Sequence, residues 1–178
     1  YIYSFLDATR GSVVMRMKNL EAKKYGGGMI NSNEDVRYWS VCLLQAENKL
    51  YTYACARDDQ FVTDPNDPNH VTIVVTTFKD KPSWACDITN STGQLGQKNC
   101  KYNWFPYVSP VNFLYMRTLV GNNNSEAYQH LPITFQMDKD PNDFNALKKH
   151  MGEYYPEGRY CSFDNSSCLD TIEELKNS

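Results

Sequence analysis

Through most of the chain, aliphatic, β-branched and aromatic residues alternate with polar ones in short runs, as in Val13-Val14-Met15-Arg16-Met17-Lys18. Period-two alternation places successive side chains on opposite faces of a strand. It predicts strands over 12–18, 36–44, 50–56, 70–78 and 112–120, with shorter ones at 2–6 and 133–136. Between them lie stretches of turn chemistry: Tyr25-Gly26-Gly27-Gly28, the Asp- and Pro-rich segment 63–69, and Gly121-Asn122-Asn123-Asn124. Strands at this spacing with no helix between successive pairs predict a mainly β, antiparallel sandwich or jelly-roll-like fold rather than a parallel α/β sheet.

Helical periodicity comes late. Asp140-Pro141 reads as a cap with proline in the first turn, and Phe144, Leu147, Lys148 and Met151 then recur at helical spacing until Gly152. A second short helix is predicted over 167–175, with Ser167 and Asp170 as a capping box and Leu169, Ile172 and Leu175 as its apolar stripe. The expectation is one domain over residues 1–178, with a helical cover over 141–176 packed on the sandwich. A length of 178 residues suits a single core.

Six cysteines, Cys42, Cys55, Cys86, Cys100, Cys161 and Cys168, occur without a CxxC pair and with only three histidines, which favours disulfides over zinc ligation. One pairing follows from register. If Asn48-Lys49 is a two-residue hairpin loop, Glu47 pairs with Leu50 and, counting outward, Cys42 falls opposite Cys55, at a separation that a disulfide spans. The simplest completion joins neighbours, Cys86 to Cys100 and Cys161 to Cys168. Asn-x-Ser/Thr triplets at Asn90, Asn123 and Asn165 are candidate glycan acceptors. The chain starts at Tyr1 rather than Met, as expected of a mature or trimmed product. Together these features predict a secreted, extracellular setting.

Composition narrows the partners. Hydrophobic residues make up 41% and charged ones 22%, which argues against disorder. The net charge is −3 and the basic residues are scattered, so no basic stripe for nucleic acid is present. The longest apolar stretch, 71–78, is broken by threonines and falls short of the ~20 residues of a membrane span.

Four stretches carry a resemblance: Arg37-Tyr38-Trp39-Ser40; Thr72-Ile73-Val74-Val75; Asn103-Trp104-Phe105-Pro106 with a following strand that ends at Arg117; and Tyr154-Tyr155-Pro156-Glu157-Gly158. In this order they resemble a loosely defined family of uncharacterised secreted or periplasmic β-rich proteins, over roughly residues 1–161. The resemblance implies a β-rich fold and an extracytoplasmic setting, and names no reaction. The cysteines and the glycan triplets are not part of its pattern.

Candidate chemistry begins with arginines that interrupt apolar strands: Arg16, Arg37 and Arg117. By period two, Arg37 shares a face with Trp39, Val41 and Leu43, and Arg117 with Phe113, Tyr115 and Leu119. One reading brings Arg37 and Arg117 together with Tyr38 or Tyr115 around a carboxylate or other small anion. The other pairs the arginines with Asp35, Glu153 or Glu157, or leaves them exposed on a polar sheet face. Trp84, Trp104, Phe105, Tyr107, Tyr154 and Tyr155 lie in loop-like, Pro-containing segments where rings could stack on a sugar or a protein partner. Asp64-x-x-Asp67 and Asp138-x-Asp140-x-Asn142 offer oxygen ligands but lack an EF-hand's glycine and distal glutamate, and read better as turns and caps. His70, His130 and His150 have no nucleophile motif beside them, and Gly26-Gly27-Gly28 lacks the lysine of a phosphate loop. No cofactor or resident metal is expected. The sequence predicts a disulfide-stapled binding or self-assembly module, a homo-oligomer or extracellular assembly with a carbohydrate or small anionic ligand. The alternative is a secreted enzyme with an Arg/Tyr-lined pocket.

Overall fold

The computed structural model describes residues 2–20, 36–45, 51–89, 100–121, 130 and 144–178. The expected strand at 133–136, the Asn48-Lys49 turn, Gly26-Gly27-Gly28, the acidic run 138–142 and the triplets at Asn90 and Asn123 lie outside these residues.

The alternating runs form two sheets. In the four-stranded sheet the order is β1 (Ile2–Asp7), β8 (Val111–Gly121), β3 (Val36–Gln45) and β4 (Tyr51–Arg57), with every neighbour antiparallel. The five-stranded sheet runs β6 (Ala85–Asp87), β7 (Tyr102–Pro106), β5 (His70–Thr76), β2 (Ser12–Lys18) and β9 (Glu157–Cys161). Here β2 is antiparallel to β5 and β9, but β7 runs parallel to both β5 and β6. The purely antiparallel expectation is therefore corrected for this sheet. Parallel neighbours need a crossover of a dozen or more residues, and the chain between Thr76 and Tyr102 supplies it.

The sheets meet through Leu6, Trp39, Val41, Leu43, Leu114 and Met116 on one side and Val13, Met15, Met17, Val71, Ile73 and Val75 on the other, all in one buried cluster. Each such side chain contributes roughly 1.5–3 kcal/mol when fully buried. Trp39 stacks on Phe61 with centroids 4.7 Å apart and donates its indole N–H to the Leu20 carbonyl at 3.0 Å. A second cluster lies on the outer face of the five-stranded sheet. There Val14, Val74 and Tyr102 pack against Cys168, Ile172 and Leu175 of α2 (Asn165–Lys176), which explains why β2 and β5 are apolar on both faces.

Two helix expectations are corrected. The buried stripe of α2 is Cys168, Ile172 and Leu175, whereas Leu169 is 37% exposed. Its cap is Asp164, whose extended backbone lets its carboxylate accept from the Ser166 N–H at 3.2 Å; Ser167 Oγ instead accepts from the Ser162 N–H. The earlier helix, α1 (Phe144–Met151), leads into a 3-10 turn (Gly152–Tyr154) that buries Tyr154 beside Met151.

All six cysteines form the three expected bridges. Cys42 and Cys55 are directly opposite in the β3–β4 ladder, with Cα atoms 4.0 Å apart. On the turn side, however, the register shifts between Leu43 and Leu44, so Gln45 pairs with Tyr51 rather than with Thr52 as the two-residue loop required. Cys86 of β6 joins Cys100, just before β7, and Cys161 at the end of β9 joins Cys168 in α2. Each bridge stays within one sheet or between that sheet and its helix. Gly11 closes this corner: its φ is +128°, and a Cβ there would collide with the Cys161 carbonyl.

Candidate functional site: an apolar cleft at the seam of the sheets

The two sheets end side by side in edge strands, β1 in one and β9 in the other. Between these edges opens a cleft of about 350 Å³, at the small end of the ~300–1,000 Å³ typical of ligand sites. Its floor is core: Leu6, Val13, Met15, Leu114 and Met116. Its far wall is the start of β9 with Tyr155 and Pro156, and Lys148 of α1 stands at the rim.

Register explains why space remains there. Tyr160 pairs with Val13, Gly158 with Met15 and Glu157 with Arg16, and paired residues share a sheet face. Val13 and Met15 face the core, so Gly158 occupies an inward position with no side chain to fill it. At one end the seam is tied shut: the Asp7 N–H donates to the Tyr160 hydroxyl at 2.9 Å, and the Arg10 guanidinium covers the Tyr160 ring at 4.2 Å.

At the other end Lys148 Nζ donates to Glu157 Oε1, and the Ser178 hydroxyl donates to Glu157 Oε2 at 3.2 Å. The Lys148 hydrogen bond, aided by its charge against the cost of burial, holds the Glu157 carboxyl below its ordinary value. Lys148 Nζ also lies 5.9 Å from the Tyr155 ring centroid.

A second, charged cleft of about 300 Å³ lies round the same β9 corner, sharing Tyr155 and Glu157 and adding Arg16, His70, Glu153 and Lys176. Arg16, which interrupts β2, here finds its partners: Nε donates to the buried Asp64 at 3.2 Å and Nη2 to Asp67. Thr72 Oγ1 donates to Asp64 at 2.8 Å, and His70 Nδ1 lies 2.7 Å from Asp67. Burial opposes charge on Asp67, but His70 and Arg16 together hold its carboxyl below the ordinary value. Asp64 and Asp67, two of the residues read as possible oxygen ligands, are thus engaged by an arginine and a histidine, while Asp64 Oδ1 is buried without a hydrogen-bond partner among the described residues. Glu153 and Glu157, offered as partners for the strand arginines, instead bond Lys18 at 2.7 Å and Lys148, and Asp35 lies outside the described residues. Among the described residues, no group of His, Cys, Asp and Glu is arranged to hold a metal ion.

Three of the residues expected around an anion lie on one sheet face. Arg117 pairs with Ser40, Tyr115 with Cys42, and Tyr38 with Leu119, which puts Tyr38, Tyr115 and Arg117 on the outer face of the four-stranded sheet. Arg117 is exposed there rather than core-facing, and it lines neither cleft. Arg37 belongs to β3, and its side chain lies outside what the structure describes. Trp104 lies in the other sheet, 1% exposed, with its ring against Phe78 at 5.7 Å and Lys81 at 5.0 Å. Phe105, Tyr107 and Tyr154 are buried as well, so these rings are packing rather than stacking platforms; burial also pushes the Tyr107 phenol up. Trp84 is half-buried and meets the Tyr102 ring edge-on at 5.6 Å; Tyr155 alone of the set lines both clefts.

Sequence reasoning missed Gly158 and Lys148. The cleft owes its space to the one inward β9 position without a side chain, and Lys148 reads in sequence as an ordinary polar helix residue. No protein-family model matches the chain, and no curated protein or solved structure matches it.

Proposed function

We propose that the protein works outside the reducing cytosol as a binding module that takes a small apolar or amphipathic ligand into the seam between its sheets. The cleft over Met15 and Met116, left open by Gly158, carries this reading. Two flexible, polarisable methionines give a floor that adapts to an occupant. Three disulfides with no free cysteine support the oxidising setting, as does the motif resemblance to secreted β-rich proteins. No described helix is long and apolar enough to cross a membrane. Glycan attachment at Asn90, Asn123 and Asn165 belongs to the same proposal, and a glycosidase-sensitive mass on the source protein tests it. Binding is tested by titrating the oxidised chain with the neutral apolar dye N-phenyl-1-naphthylamine. Saturable one-to-one fluorescence is expected; a linear, non-saturating signal overturns the reading.

A second reading, self-assembly, draws on Phe5 and Tyr53, which are 59% and 49% exposed on the four-stranded sheet away from α2. Native mass spectrometry reports copy number directly, and a monomer at micromolar concentration removes it. The enzyme reading lacks a described cleft that holds Arg117.

A further inference from the structure

We infer that the ligand of the seam is an amphipathic monocarboxylate, its chain lying over Met15 and Met116 and its carboxylate taken by Lys148. The inference rests on the cleft being a ligand site, and it adds the polarity and direction of the occupant.

Direction follows from the two ends of the cleft. The Tyr160 end is sealed by the Asp7 N–H and roofed by Arg10, so a chain enters from the Tyr155 end and lies apolar end inward. Any head group then stops at the rim, beside Lys148, Tyr155 and Glu157. The floor it passes is wholly apolar, with Leu6, Leu114, Met15 and Met116 all buried.

Sign follows from the hydrogen-bond inventory at that rim. An ammonium carries three donors, and among the described residues one donor of Lys148 goes to Glu157. The Lys148 side chain is 56% exposed, so among the described residues its other donors are left to solvent. Glu157 is already engaged at both oxygens, Oε1 by Lys148 and Oε2 by Ser178. An incoming carboxylate meets the donors and positive charge of Lys148, whereas an incoming ammonium is repelled by that charge and must share with it the remaining lone pairs of Glu157. Arg159, which also lines the cleft, is paired with Glu174 at 3.0 Å, so Lys148 is the cation at the rim with exposure to offer a second anion. A solvent-exposed ion pair is weakly held, so Lys148 can turn toward a second carboxylate at small cost.

Three probes of one chain length separate the possibilities: decanoate, decanol and decylammonium, each titrated calorimetrically into the full oxidised chain at neutral pH. Decanoate is expected to bind about tenfold more tightly than decanol, the factor of one charge-assisted hydrogen bond, and decylammonium more weakly than either. Lys148→Met keeps the apolar stem and removes the charge. It should weaken decanoate far more than decanol and so remove the preference between them. Equal binding of decanoate and decanol, or preference for decylammonium, overturns the carboxylate assignment while the cleft stands. A decanoate preference that persists in Lys148→Met overturns the role of Lys148. If none of the three binds, the cleft reading itself falls.

Discussion

Filling the inward position of β9 is the most direct test of the seam. Gly158 pairs with Met15, and a Cβ placed there meets only the Val14 carbonyl oxygen, at 3.7 Å, an ordinary contact. Gly158→Val therefore adds a side chain suited to strands on the cleft side without backbone strain. Complete burial of valine contributes roughly 1.5–3 kcal/mol. The cleft is open along one side, so about half of this, roughly 1 kcal/mol, is the working figure. Restricting the unfolded chain relative to glycine adds roughly 0.4–1 kcal/mol. The sum is near 2 kcal/mol, equivalent to a rise in Tm of about 4–8 °C for a chain of this size. Differential scanning calorimetry reads the stability, and N-phenyl-1-naphthylamine titration reads the site. The valine variant should be more stable and lose dye binding, whereas Gly158→Ala should gain less and keep it. A valine variant that melts lower, or that binds the dye with unchanged affinity, refutes the placement of an inward-facing void at this position.

Other perturbations probe what holds the site in place. Arg16→Met leaves the buried Asp64 carboxylate without its cation and is expected to cost about 3 kcal/mol in urea unfolding; adding Asp64→Asn should recover part of the loss. The carboxyl of Asp67 is held below its ordinary value of 3.8. It therefore contributes stability that is fully present above that value and is lost as pH falls through the lowered one. Urea midpoints followed from about pH 6 to about pH 2 should fall less steeply in Asp67→Asn than in the parent. Removing the Cys161–Cys168 bridge by a double serine substitution reopens a loop with a sequence separation of 7 and should cost roughly 2–3 kcal/mol. Hydrogen exchange in that variant should rise first in α2 and β9.

The sequence shows the parts of this fold whose chemistry is local. Val13 to Lys18 and His70 to Thr76 carry β-branched and aliphatic residues dense enough to mark β2 and β5, and counting from a hairpin put Cys42 opposite Cys55 even though the register slips by one nearer the turn. What it hides is set by distant partners. Tyr102–Pro106 reads as a turn because it contains Asn and Pro, yet it is a buried strand. Asn103 is tolerated there because its amide donates to the carbonyls of Val62 and Thr72, at 2.8 and 2.9 Å, and accepts from the Val62 N–H. Glu157–Cys161 shows no apolar alternation because it is an edge, half of whose positions face solvent or the cleft. Sharing a face with Phe113 and Tyr115 leaves Arg117 open to a core or a surface reading, and only pairing with Ser40 and Cys42 shows that face to be the outer one. The cleft is hidden for a different reason. A void is made by which edges become neighbours, and no residue type announces a missing side chain opposite a methionine.

The placement of the sulfur bridges has a mechanical consequence. One cross-links two strands of the first leaf, one reinforces the second, and one buckles the second leaf to its helix; no sulfur bridge spans from leaf to leaf. Oxidation therefore stiffens each slab without locking the gap, which is held by side-chain packing and, among the described residues, by hydrogen bonds such as Asp7–Tyr160 and Trp39–Leu20. On the proposed binding role, a guest would enter along the one border that no sulfur bridge braces.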